Sequence, residues 1–175
     1  MANFIDKMTV VEADTIYEGG DLIGSDYKVT LPDVIPATSD VSGLMGVMNM
    51  PMLNTLQSMT ATITKQGVDA NAAKMCTPGK KDLLINWVQD KVNSSGDVSA
   101  IGCKAQLGCM PKSYMPAIEI ERGNTSEFDC EYEVFEYKLT VDGAVIFHVN
   151  RITNVLKMWD GKKLVDFSES YAKLL

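Results

Sequence analysis

Four cysteines (Cys76, Cys103, Cys109 and Cys130) and a single histidine, His148, carry the most reactive side chains in this chain. A thiol within hydrogen-bond reach of an imidazole would make a nucleophile and its base, and four clustered thiols or imidazoles would hold zinc. The spacing supports neither. There is no C-x-x-C pair, and if Cys103 and Cys109 share a strand, their six-residue separation puts them about 20 Å apart, too far to bridge. The cysteines therefore read as reduced, buried thiols acting as small hydrophobes, and His148 as a surface or packing residue. No G-x-x-x-x-G-K-[ST] phosphate loop, G-x-G-x-x-G turn, H-E-x-x-H pair or G-x-S-x-G elbow is present. No catalytic residue, cofactor site or metal site is expected.

Three other groups of side chains require an account. Glu127, Asp129, Glu131 and Glu133 alternate along one segment, and like charges on one strand face repel unless the face is well solvated or meets cations. They form either an ordinary outer face or a lining that repels a passing polyanion. Ser58, Thr60, Thr62 and Thr64 make a hydroxyl face, solvent-facing in a lone domain and lumen-lining in a closed assembly. Eleven methionines are many for this length. Met45, Met48, Met50 and Met52, with Leu44, fall in a Gly/Pro-broken stretch without a periodic face, which favours an adaptable subunit interface over core filler.

The elements that must position these groups are mostly strands. Residues 1–14 have weak patterning and read as an N-terminal arm. Glu18–Asp21 marks a turn, and Tyr27–Leu31 a short strand ended by Pro32. Residues 33–54 read as a long irregular loop, of the kind that carries function in a compact domain. In Ser58–Lys65 the hydroxyls take one parity and Met59, Ala61 and Ile63 the other, the mark of a half-buried strand. Residues 68–76 form the best short helix, closed by Pro78-Gly79. Asp82–Val92 suits either helix or strand, and the hairpin-tip cluster Asn93–Asp97 favours a strand. Ile101, Cys103, Ala105, Leu107 and Cys109 share a buried parity, as do Phe128, Cys130, Tyr132 and Val134. Asp142-Gly143 and Asp160-Gly161 suit tight hairpin turns, and Ser168–Leu175 suits a helical turn. Seven or eight strands at such spacing, with one modest helix, indicate an antiparallel β-sandwich or barrel-like domain.

Bulk properties narrow the classes further. The 175 residues match one domain, with no linker or repeat to divide them. The net charge of −7 argues against specific nucleic-acid binding, which needs clustered cations. No apolar run approaches the roughly 20 residues of a membrane span, and the N-terminus lacks the basic start and apolar stretch of a signal peptide.

The C-terminal third, Tyr137–Gly143, Phe147–Val155 and Asp160-Gly161, resembles the major tail tube proteins of contractile-tailed phages, relatives of contractile bacteriocin and type VI secretion tubes. Val29–Val34 is similar to the family's early strand. The resemblance implies a protomer whose inner strands join a continuous barrel in a hexameric ring. Rings would stack into a tube for DNA or effector passage, with sheath, tape-measure and baseplate proteins as partners. It also implies assembly in the host bacterial cytoplasm and residence in the virion tail. It assigns the 1–14 arm and the 33–54 loop, with Leu44, Met45, Met48, Met50 and Met52, to ring-to-ring contact. Ser58, Thr60, Thr62, Thr64, Glu127, Asp129, Glu131 and Glu133 become lumen candidates. The alternative is a monomeric small-ligand-binding β-barrel or sandwich, with an esterase-like or redox enzyme a distant third.

Overall fold

Every apolar–polar alternation noted above belongs to a strand in the computed structural model, which describes residues 7–24 and 27–168. In chain order the strands are β1 (Lys7–Glu18), β2 (Asp21–Gly24), β3 (Tyr27–Thr30), β4 (Pro36–Gly43), β5 (Gly46–Leu56) and β6 (Met59–Gln66). One helix among the described residues, α1 (Ala70–Met75), precedes β7 (Lys81–Val92), β8 (Val98–Pro111), β9 (Glu127–Val141), β10 (Ala144–Asn150), β11 (Val155–Trp159) and β12 (Leu164–Asp166). The fold is mainly β and antiparallel, and its main sheet is open, its path ending at β2 and β12. No helix among the described residues is long and apolar enough to cross a membrane. The terminal helical turn expected at 168–175 lies almost wholly outside the described residues.

β9 organises the sheet. One of its edges pairs with β8, while the other is divided: Glu127–Val134 pairs with β6, and Glu136–Val141 pairs with β10. At the fork the Arg151 amide donates to the Phe135 carbonyl (2.8 Å), so the backbone stays satisfied where one partner strand replaces the other. Opposite the fork the register slips. Gly108 faces Glu136 and Cys109 faces Val134, leaving Phe135 as the extra residue of a β-bulge. The bulge exchanges parity, so Phe128, Cys130, Tyr132 and Val134 are buried before it and Tyr137 after it. Gly108 is needed there because a Cβ would lie 2.9 Å from the Phe135 ring.

The core gathers Met59, Ala61 and Ile63 of β6, Leu83 and Ile85 of β7, Leu107 and Cys109 of β8, and the inward residues of β9. α1 closes it with Ala72, Met75 and the C-cap residue Cys76. The Asp69 carboxylate caps the helix by accepting from the Ala72 amide (2.8 Å). Tyr132, fully buried, donates its hydroxyl to the Met75 carbonyl (3.1 Å), pairing a helix-end acceptor that would otherwise be orphaned.

Two expectations need correction. Of the arm expected over 1–14, residues 1–6 lie outside the described residues, and from Lys7 onward the chain is β1, paired with β7. The stretch 33–54, expected as an irregular loop, is largely the β4–β5 hairpin, a separate two-stranded sheet. These two segments supply most of the strands beyond the seven or eight expected.

Candidate functional site

The hydroxyl face and the acidic face, separate in the sequence, are one surface. In the β6–β9 register Thr60 faces Glu133, Thr62 faces Glu131, Thr64 faces Asp129 and Gln66 faces Glu127. The intervening pairs, Met59–Val134, Ala61–Tyr132 and Ile63–Cys130, point into the core. β3 widens the polar face, placing Thr30 beside Thr62 and Lys28 beside Thr64.

Cross-strand hydrogen bonds let these carboxylates stand in a row. Ser58 donates to Glu133 (2.7 Å), Thr64 to Asp129 (2.5 Å) and the Gln66 amide to Glu127 (3.1 Å). Cations gather at one end. Arg151 pairs with Glu133 at 3.1 Å, and Lys112 lies 3.5 Å from Glu133 while donating to Thr60 (2.6 Å). Partial burial alone would raise the Glu133 carboxyl, but hydrogen bonds from Ser58 and Arg151 and the Lys112 charge outweigh it and hold it below the ordinary glutamate value. The acidic stripe is thus not uniformly repulsive. Lys112 and Arg151 were not legible as its counter-charges, because each lies far from Glu133 in sequence.

The hairpin carries a second surface. Val41 faces Met48 and Ser39 faces Met50, and Met52 follows the same parity. Met48, Met50 and Met52 therefore do lie on a periodic face, contrary to the sequence reading, while Asp40 and Asn49 occupy the other face, joined by a 2.9 Å hydrogen bond. Leu44 and Met45 form the tip and are fully exposed, at 108% and 102% of their reference areas.

No cysteine among the described residues is paired with His148, whose side-chain partner is Glu136. All four cysteines are buried and free. Burial pushes the Cys103 thiol up and the Cys109 thiol up to about 12, which keeps both protonated and weakly nucleophilic at neutral pH. His148 contacts the Glu136 carboxylate at 3.3 Å, in a groove of about 460 Å³ that Gln106, Gly108 and Lys138 also line. Among the described residues no group of three or more His, Cys, Asp or Glu could hold a metal ion.

An open β-sandwich whose unusual features are a hydrogen-bonded polar face and a projecting apolar hairpin belongs to the class of structural proteins built around surfaces. The family model for phage tail tube protein FII matches residues 7–167, and the chain belongs to that family of structural tail tube proteins. Among solved structures, one described as an extracellular contractile injection system, PVC sheath/tube terminator in the extended state, is similar over 80% of this chain and 99% of its own, at 14% identity and a TM-score of 0.50. Another, described as the PVC sheath–tube complex in the extended state, is similar over 73% of this chain and 87% of its own, at 16% identity and a TM-score of 0.47. Among curated proteins no sequence matches.

Proposed function

We propose that the chain assembles with copies of itself into stacked hexameric rings, the inner tube of a contractile phage-like tail, through which DNA or an effector passes, and that it has no catalytic role. The observation that carries this reading is the β4–β5 hairpin. A two-stranded hairpin is marginal by itself, and one that leaves Leu44, Met45, Met48, Met50 and Met52 in water needs an apolar surface to cover it. A neighbouring ring supplies that surface, and thioether side chains adapt to it. The open ends of the main sheet, β2 and β12, are the edges that ring closure would pair.

In this assembly the β6–β9 polar face lines the lumen. Its hydroxyls and carboxylates give a wetted wall, and Lys112 and Arg151 are already paired with Glu133, so phosphates would find little to displace. A sheath would surround the tube, a tape-measure protein would occupy it and a baseplate would start it. Assembly would take place in the host bacterial cytoplasm before the tube enters the virion tail.

Negative-stain microscopy of the concentrated full-length chain tests the reading, with a baseplate-mimicking seed added where spontaneous growth is slow. Rings or tubes with the β6–β9 face inward are expected. Monomers that persist under both conditions, with a small molecule held in the sandwich, would replace it with the ligand-binding alternative.

A further inference from the structure

We propose that Cys76 and Cys130 are an oxidisable dithiol, which hydrogen peroxide converts to a disulfide tying α1 to the central strand β9. Their Sγ atoms lie 3.0 Å apart although the residues are 54 positions apart in sequence. A disulfide requires about 2.05 Å between sulfurs, so closure takes a shift on the order of 1 Å, within the reach of side-chain rotation. The remaining cysteines have no such relationship. Cys103 and Cys109 both sit on β8, and the Cys109 thiol is directed to the Lys81 carbonyl at 3.7 Å.

The approach is imposed by the fold from both sides. Cys130 is fixed in the β6–β9 ladder opposite Ile63. Cys76 ends α1, its amide donating to the Ala73 carbonyl (3.2 Å), and the adjacent Met75 carbonyl is held by the Tyr132 hydroxyl, two residues from Cys130. The thiols are 1% and 2% exposed, so bulky oxidants are shut out. A small cavity of about 30 Å³, lined by Ala72, Cys76, Met115, Pro116 and Phe128, reaches Cys76. That volume accommodates a molecule of one or two waters' size, which peroxide is.

The order of events follows from this placement. Burial, with the hydrogen bond to Cys76 next, pushes the Cys130 thiol far above its ordinary value, so Cys130 keeps its proton. Cys76, at the cavity wall, is the thiol that peroxide meets first, and its sulfur attacks as its proton leaves. The peroxide O–O bond breaks, one oxygen bonds to the Cys76 sulfur as a sulfenic acid, and the other leaves as hydroxide and takes up the proton that Cys76 released. The Cys130 sulfur then displaces hydroxide from the sulfenic sulfur, and its own proton completes the second water. Two thiols are oxidised by two electrons and one peroxide is reduced to two waters.

The test treats folded, full-length protein with peroxide, removes the excess with catalase and counts thiols in denaturant. Two of the four cysteines should become unreactive, and non-reducing peptide mapping should find one link, Cys76–Cys130. The oxidised form should melt roughly 5–15 °C higher, because the link closes a long loop. Dithiothreitol should reverse the shift, which methionine oxidation would not allow. Cys76→Ser and Cys130→Ser should each abolish the link, and Cys103→Ser should retain it. Should the serine variants not fold, the wild-type map decides alone. Four thiols still free, a link through Cys103 or Cys109, oxidation ending as sulfinic acid on Cys76, or a Cys76–Cys130 link formed only in denaturant would each overturn the proposal.

Discussion

Ser58 donates its hydroxyl to the Glu133 carboxylate across 2.7 Å, joining two residues 75 positions apart and anchoring a cluster that also holds Arg151 and Lys112. In the folded chain Glu133 is held below its ordinary value of 4.5. As pH falls the unfolded chain therefore takes up this proton first. The stability supplied by the cluster is complete above about pH 4.5 and is lost as pH drops through the lower folded value. Ser58→Ala should cost about 0.5–1 kcal/mol at pH 7, and the difference from the parent should shrink below pH 4. Urea denaturation of both proteins across this range checks it.

The hairpin tip separates assembly from folding. Leu44 and Met45 are fully exposed, so Leu44→Asp and Met45→Asp should change the stability of the isolated chain by no more than about 0.5 kcal/mol. Under the proposed function the same changes should abolish stacked tubes in micrographs while leaving the circular dichroism spectrum intact. Tubes formed as readily as by the parent would remove the tip from the interface.

Gly108 and Phe135 form a steric pair at the bulge. A methyl at position 108 would meet the Phe135 ring at 2.9 Å, and Gly108→Ala should cost about 1–3 kcal/mol. Adding Phe135→Leu should relieve part of that cost. A double-mutant cycle in urea then gives a nonzero coupling energy, and simple additivity would show that the ring yields without strain.

Lys81 and Glu18 form an ion pair at 2.7 Å with side chains about 9% and 10% exposed. Lys81 also donates to the Thr77 hydroxyl (2.6 Å) and the Lys74 carbonyl (3.1 Å), while Glu18 Oε2 already has no partner. Lys81→Met strands a buried carboxylate and should cost about 3–5 kcal/mol. Combining it with Glu18→Leu should recover most of that loss in denaturant melts.

Much of the strand framework was legible in the residues, because a half-buried strand imposes a two-residue period that the chain must display locally. Met59, Ala61 and Ile63 against Thr60, Thr62 and Thr64, and Phe128 to Val134 against the four carboxylates, announce both their strands and their buried faces. The Asp142-Gly143 turn was equally readable: both residues adopt positive φ, 49° and 76°, as a tight hairpin of this kind demands. The β4–β5 hairpin was hidden for the opposite reason. Neither of its faces is buried within the chain, Pro36 and Pro51 interrupt its pattern, and its tip is Leu-Met where Asn-Gly would have signalled a turn.

The candidate site divides along the same line. The sequence by itself determined which side chains lie on the outward parity of β6 and of β9, since parity is a local property. Only the tertiary structure decided that these two strands are neighbours, that Ser58 meets Glu133, that Lys112 and Arg151 neutralise one end of the stripe, and that Cys76 comes to rest against Cys130. Register, counter-charges and thiol proximity depend on contacts between distant parts of the chain, and no local spacing encodes them.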